Sequence, residues 1–240
     1  SVVHPDMLAE GWTFATDFPG ATGDRLYALP FLRNLYTRAD PQMNGRVTVP
    51  VLWDRERSTI VSNESSEIIR MFNSAFDGLT GNDRDFWPES LRGEIEAVNA
   101  RVYGTVNNGV YKAGFATAQA PYDAAVTALF ETLDWLDHRL SRQRYLVDDR
   151  QTEADWRLFT TLVRFDSVYH LHFKCNRRRI IDYPNLWAYT RDLYQEPGVA
   201  ATVRMDHIVR HYHYSHETIN PHRIIPINPI LDFTVPHGRG

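Results

Sequence analysis

The sequence changes character at Phe86-Trp87-Pro88, and that change limits what the chain can fold into. Upstream, short β-branched runs alternate with turn-rich segments such as Phe18-Pro19-Gly20 and Ala39-Asp40-Pro41, whereas downstream the apolar spacing is helical almost to residue 215. Two periods kept in separate halves predict an α/β domain over residues 1–87 followed by an all-helical domain over 88–240. At 240 residues with a 43% hydrophobic share, the chain can bury a sizeable core. A formal charge of −4 and a pI near 6.2 give no reason to expect nucleic acid or an anionic membrane as partner. No apolar run approaches the roughly 20 residues that span a bilayer, and no signal-peptide pattern is present. The single cysteine, Cys175, excludes an internal disulfide framework and fits a reducing compartment, so a cytoplasmic location is expected.

Residues 46–77 read as one unit: strand, turn, strand, helix. The run Val47 to Trp53 is β-branched but carries Pro50, which cannot donate to a ladder and confines the run to a sheet edge or bulge. After the charged turn Asp54 to Ser58 come a second strand, Thr59 to Ser62, and a helix start at Asn63-Glu64-Ser65-Ser66 ahead of Ile68, Ile69 and Phe72. A helix N-terminus offers unpaired N–H groups and the positive end of the macrodipole, which suits a carboxylate or phosphate. Glu64 beside it would suit an ammonium, and Ser65 adds a hydroxyl, so one end of an amino acid could be held there. A cis Val49-Pro50 bond would turn the Val49 backbone outward to pair with an extended peptide ligand. The alternative is an ordinary capped helix after an ordinary edge strand.

In the helical half, Pro121 suits a first turn, and Leu129, Leu133, Leu136 and Leu140 follow one face of a helix over 121–144, as core packing. Thr152 and Asp155 form a T-x-x-D capping box opening a helix over 152–172. Asn107, Asn108 and Gly109 are poor helix formers just ahead of Tyr111, as if backbone there passes close to something. Tyr111 itself reads either as a half-buried core tyrosine or as a phenol lining a ligand pocket. Trp12, between Gly11 and Thr13, is open to both domain packing and ligand stacking. His207 and His211 stand four apart, but no Cys or carboxylate completes a zinc pattern with them, so no metal is expected. Histidine is crowded here, at His207, His211, His213, His216 and His222, and some of these imidazoles could instead hydrogen-bond a neighbouring tyrosine and tune its acidity. The proline-rich tail over 219–236 is too irregular for a helix and is expected to wrap back over the body, supporting a dimer or covering the site.

The strings VTVPVLWD and TIVSNESSEIIRMFNSAFD resemble the glutathione-binding half of a glutathione transferase, specifically the Xi-class enzymes called glutathionyl-hydroquinone reductases. The resemblance runs almost end to end, through GWTF, DFPGATGD, NNGVYKAGFA, LVDDRQTEADWRLFTTLVRFD, YPNLWAYTRDLY and HYHYSHETINPHRIIP. It implies a glutathione transferase fold, with a thioredoxin-like N-terminal domain ahead of the helical one. It places glutathione as co-substrate along Trp12, Val49, Pro50, Glu64 and Ser65, and a hydroquinone pocket at Tyr111 and Tyr212, with Tyr214 the less fitting match. A homodimer is expected.

Members of that family carry a Cys-Pro-Trp-Ala motif after their first strand, and its cysteine is the nucleophile. Here Ser1-Val2-Val3 reads as the second strand, and Cys175, in HFKCNRRR, matches no nucleophile motif, so the sequence is expected to be a fragment without the first strand and helix. The implied reaction is attack of that cysteine on the sulfur of an S-glutathionyl-hydroquinone, departure of the hydroquinone assisted by Tyr111 and Tyr212, and release of GSSG by a second glutathione. Two other readings stay open: a conjugating transferase, and a non-catalytic glutathione-binding module.

Overall fold

A computed structural model of the chain describes residues 1–239. They fall into two compact units, Ser1–Arg84 and the residues from Asp85 on.

In the first unit an antiparallel hairpin pairs β1 (Leu52–Asp54) with β2 (Thr59–Ser62), Trp53 opposite Ile60, with a register irregularity between Leu52 and Trp53. Its turn is shaped by Asp54, whose carboxylate accepts the amides of Glu56 and Arg57 at 2.9 and 2.8 Å. The strand expected over Val47 to Trp53 is therefore much shorter. Pro50 lacks the N–H that would carry the ladder upstream, and pairing begins only at Leu52. Nor do Ser1 to Val3 form a strand. Val2 is instead tied to Thr22 through Thr22 N–H to Val2 O (3.1 Å) and Val2 N–H to Thr22 Oγ1 (2.8 Å). Helix α1 (Leu32–Ala39) buries Leu32, Leu35 and Tyr36 with Phe14, and Trp12, Val51, Trp53 and Ile60 pack around them. The Tyr36 hydroxyl donates to Thr48 O at 2.8 Å and accepts from Asn63 Nδ2 at 3.1 Å, which pins the chain ahead of Val49 to the chain ahead of Glu64. Helices α2 (Ser65–Ser74) and α3 (Asp77–Thr80) complete the unit.

The second unit opens where Asp85 and Phe86 are held by their carbonyls, Asp85 O by Arg150 and Phe86 O by the amide of Glu153, both at 2.8 Å. Its helices are α4 (Arg92–Val102), α5 (Gly109–Gly114), α6 (Gln119–Leu140), α7 (Glu153–Arg164), α8 (His170–His172), α9 (Pro184–Tyr194) and α10 (Met205–Ser215). Leu129, Leu133, Leu136 and Leu140 of α6 are buried, each worth about 1.5–3 kcal/mol by removal from water. The helix ends at Leu140, short of 144, because the chain must turn there to place Tyr145, Leu146 and Val147 in the core. The Thr152–Asp155 box forms at the start of α7, and its carboxylate also accepts Leu146 N–H (2.8 Å) and the Tyr189 hydroxyl (2.7 Å).

Two π-helical turns interrupt the helices. Tyr103–Asn107 follows α4, closed by Asn108 N–H to Tyr103 O at 2.9 Å, and Phe165–Tyr169 follows α7. The first ends at Asn107, where the poor helix formers ahead of Tyr111 begin. The close approach lies just beyond, at Gly114, whose backbone lies against the ring of Phe173. The tail carries no helix. It folds onto the helical unit through Phe233, packed on Trp187 and Tyr194, and through Arg239, which donates to the carbonyls of Leu140, Gln143 and Arg144. No helix among the described residues is long and apolar enough to cross a membrane.

Candidate functional site

In the first unit the Val49-Pro50 bond is cis. Val49, Pro50, Glu64 and Ser65 are all exposed, and Asn63 Nδ2 donates to Thr48 Oγ1 at 3.1 Å. That bond anchors the residues immediately before each pair, so the edge segment and the start of α2 leave from one point. Ser65 is the first residue of α2, and its helix start is tied not by Asn63 but by Ser62. The Ser62 hydroxyl accepts Glu64 N–H (3.0 Å) and donates to Glu67 (2.7 Å). This leaves Glu64 as the N-cap residue without a side-chain cap, at the positive end of the helix. Trp12 is half-buried, its carbonyl accepting Leu32 N–H at 3.0 Å and its ring packed with the Phe14, Leu32, Leu35 and Tyr36 cluster.

In the second unit Tyr111 and Tyr212 meet. Tyr111 stands on α5 and Tyr212 on α10, and their hydroxyls share a short hydrogen bond. Tyr212 is joined on its other side by the hydroxyl of Tyr169 at 2.9 Å. Exposure falls along the row, from 38% at Tyr111 to 7% at Tyr212 and 2% at Tyr169. Burial, reinforced by the neighbouring phenol of Tyr212, raises the pKa of both Tyr111 and Tyr169, so each stays neutral and keeps its proton. The rings of Phe115 and Phe173 pack beside Tyr111, with centroids 6.5 and 5.3 Å away, and His216 lies edge-on to Tyr212 at 5.5 Å. Tyr214 points elsewhere, carrying the guanidinium of Arg210 at 3.8 Å over its ring.

Tyr169, Phe115 and Phe173 were not among the residues singled out from sequence, whereas His216 belongs to the histidine cluster read there. The four-residue spacing Phe165, Tyr169, Phe173 was a legible signal of one aromatic helix face. His172 Nε2 and His216 Nδ1 lie 3.1 Å apart, and desolvation lowers His172 to about 3 and His216 to about 4, so both are neutral. Beyond His172 lies a cavity of ≈ 330 Å³ lined by Leu171, Lys174, His213 and Ile224 among others. His211 stacks edge-on against Tyr212 at 5.2 Å and approaches Ser215 Oγ at 3.5 Å. No group of three or more His, Cys, Asp and Glu residues among those described is arranged to hold a metal ion.

Cys175 is fully buried, its thiol pushed up to about 12 by desolvation, and it lies 3.8 Å from Phe173 O. A thiol so placed does not act as a nucleophile near neutral pH.

The arrangement therefore offers an exposed edge segment beside a helix N-terminus in one unit, and a row of three phenols under an aromatic wall in the other. The first suits a peptide carboxylate and ammonium, the second an aromatic ligand with a hydroxyl.

Residues 119–192 match the family model described as "Glutathione S-transferase, C-terminal domain". The chain is 59% identical over 239 residues to the glutathionyl-hydroquinone reductase YqjG of Escherichia coli, which covers 100% of this chain and 73% of that protein. The glutathione-bound structure of YqjG superposes with a TM-score of 0.98, covering 100% of this chain and 78% of that one at 58% identity. The glutathionyl-hydroquinone reductase PcpF of Sphingobium chlorophenolicum is 50% identical over 231 residues, 95% of this chain and 73% of that protein. The Xi-class GST from Natrialba magadii superposes with a TM-score of 0.97 at 51% identity, covering 100% and 73% of the two chains.

Proposed function

Because this chain belongs to the Xi-class glutathione transferases, the glutathionyl-hydroquinone reductases, we propose that it binds glutathione in its first unit and a hydroquinone in its second, and serves the reduction of S-glutathionyl-hydroquinones. The fold is that of a glutathione transferase, a thioredoxin-like unit followed by a helical one. The observation that carries the reading is the meeting of Tyr111 and Tyr212, 101 residues apart in sequence, beneath Phe115 and Phe173.

In this reading glutathione lies along Trp12, the Val49-Pro50 edge and Glu64-Ser65. Its γ-glutamyl carboxylate takes the helix N-terminus and Ser65, its ammonium takes Glu64, and its extended backbone takes Val49. A cysteine thiolate attacks the glutathionyl sulfur and breaks the bond from sulfur to the ring carbon. The carbon takes a proton and hydroquinone leaves, with Tyr111 and Tyr212 as hydrogen-bond donors. A second glutathione thiolate then attacks the mixed disulfide, giving GSSG and restoring the cysteine thiolate. Cys175 is buried and protonated, so that sulfur is a cysteine other than the one these residues hold. The functional division follows residues 1–87 and 88–240, and we assign the protein to the cytoplasm as a homodimer.

Two measurements test the reading. Calorimetry of glutathione binding to the chain is expected to show a clear heat that Ser65→Ala and Glu64→Gln each weaken about tenfold, the worth of one charge-assisted hydrogen bond. Unchanged affinity in both variants would move glutathione elsewhere. In the protein expressed from its complete gene, release of hydroquinone from glutathionyl-menadiol is expected to depend on glutathione and to fall about 10²–10⁴-fold in Tyr111→Phe. Turnover of chlorodinitrobenzene without reduction of glutathionyl-menadiol would favour a conjugating transferase instead.

A further inference from the structure

We propose that Tyr169 is a positioning residue that fixes the direction of the phenol row, so that Tyr111 faces its ligand as a hydrogen-bond donor. The inference rests on the reading of Tyr111 and Tyr212 as the hydroquinone-contacting pair, and goes beyond it by adding a third, buried phenol with a distinct task.

Three hydroxyls carry three hydrogens, and two hydroxyl-to-hydroxyl hydrogen bonds no longer than 3.5 Å join them, Tyr111 to Tyr212 and Tyr169 to Tyr212, while Tyr111 and Tyr169 meet through their rings. Tyr169 is 2% exposed, and among the described residues the hydroxyl at that distance from its own is that of Tyr212. A phenol has one hydrogen to give and can accept up to two. If Tyr212 donated to Tyr169, the Tyr169 hydrogen would be buried without an acceptor, which costs more than a missing acceptor contact on its oxygen. If Tyr169 and Tyr111 both donated to Tyr212, the Tyr212 hydrogen would be stranded in the same way. One arrangement strands none: Tyr169 donates to Tyr212, Tyr212 donates to Tyr111, and the hydrogen of Tyr111 remains for whatever lies at the exposed end of the row.

That end is where Tyr111 is 38% exposed, beside Phe115, itself exposed. Polarisation passes along such a row, each donated bond making the next hydroxyl a better donor. A hydroquinone oxygen that gains negative character as the bond from sulfur to the ring carbon breaks would thus meet a donor whose direction is set two residues away by a side chain it never touches. The backbone supports the assignment. Tyr169 closes the π turn Phe165–Tyr169, and its ring is held against Phe173 at 5.5 Å and edge-on to Tyr212 at 5.4 Å, so its hydroxyl oxygen has one position.

The test uses 4-nitrophenol, whose anion is coloured, bound to the chain and titrated with pH. A donor at Tyr111 favours the bound anion, so the parent protein is expected to bind nitrophenolate more tightly than nitrophenol. Tyr169→Phe keeps the ring and should cut that anion preference about tenfold while leaving binding of the neutral probe nearly unchanged. Tyr212→Phe should do the same, and the double variant should lose no more than either single one, because both break one row. An anion preference retained in Tyr169→Phe, with the fold intact by circular dichroism, would overturn the role of Tyr169 while leaving Tyr111 as donor. Additive losses in the double variant would also overturn the relay. A parent chain without anion preference, or one whose preference survives Tyr111→Phe, would remove the reading of the pocket itself and the relay with it.

Discussion

A Cβ on Gly114 would run into Cγ and Cδ1 of Phe173, a ring with no solvent exposure. Gly114 sits three residues past Tyr111 on α5, and Phe173 lies against Tyr111, Tyr169 and Tyr212. The distance from the first phenol to the other two is thus set by a glycine backbone touching a ring that has nowhere to go. Gly114→Ala is expected to destabilise the protein by about 1–3 kcal/mol or more, as overpacking does in cores. Gly114→Ala combined with Phe173→Leu should recover a good part of that loss in urea unfolding. Strict additivity of the two changes would show that the clash lies elsewhere.

The pair His172 and His216 makes the helical unit acid-sensitive in a defined window. Desolvation first, and then the neighbouring imidazoles, with Lys174 adding repulsion at His172, hold His172 at about 3 and His216 at about 4 in the folded chain. An unfolded histidine takes its proton near 6.5, about the usual value. Above that pH neither state binds the proton and the pair contributes nothing to the pH dependence. As pH falls from about 6.5 towards 4, the unfolded chain gains protons that the folded one refuses, so stability drops, and the drop flattens below about 3. The double variant His172→Gln and His216→Gln should lose urea resistance less steeply between pH 7 and 4.5 than the parent. Parallel curves would assign the acid lability to other groups.

Asp155 collects Leu146 N–H, Thr152 N–H and the hydroxyls of Thr152 and Tyr189 in a fully buried site. Burial raises its pKa while those four bonds draw it down, so the carboxylate lives by its donors. Asp155→Ala would strand several of them at about 1–3 kcal/mol each, enough to unfold a marginal domain. The expected outcome is loss of the cooperative thermal transition of the helical unit. Asp155→Asn should be milder, because an amide oxygen still accepts. A transition unchanged by Asp155→Ala would show that water replaces the carboxylate freely.

Much of this was legible in the sequence because it rested on local rules. The T-x-x-D box, the α6 leucine stripe and the helix start at Ser65 follow from cap chemistry and spacing, and each formed. The strand at Val47 did not, because one proline outweighs four β-branched neighbours where a ladder needs every donor. Tyr169 escaped for a different reason. Its significance lies in a contact with Tyr212, 43 positions later, and in a π turn that a period of 3.6 does not describe. Tyr212 was reached only through resemblance, and for Tyr111 the residues left a core tyrosine and a pocket phenol both open, since a single tyrosine on a helix face carries little local signal of its own.

The two π turns have a consequence for how such a pocket can change over generations. A π turn holds one more residue than the α turn it replaces, so each marks a place where the helix carries a supernumerary position without unwinding. Removing one residue from Tyr103–Asn107 would let α4 run on into α5 as ordinary helix, with the side chains beyond the turn keeping their facing, because the turn already absorbs the extra residue. Tyr111 would then still face Tyr212. A single-codon deletion there would change the path of the chain at the turn and leave the phenol row in register, and a single-codon insertion is the simplest way such a turn could have been built.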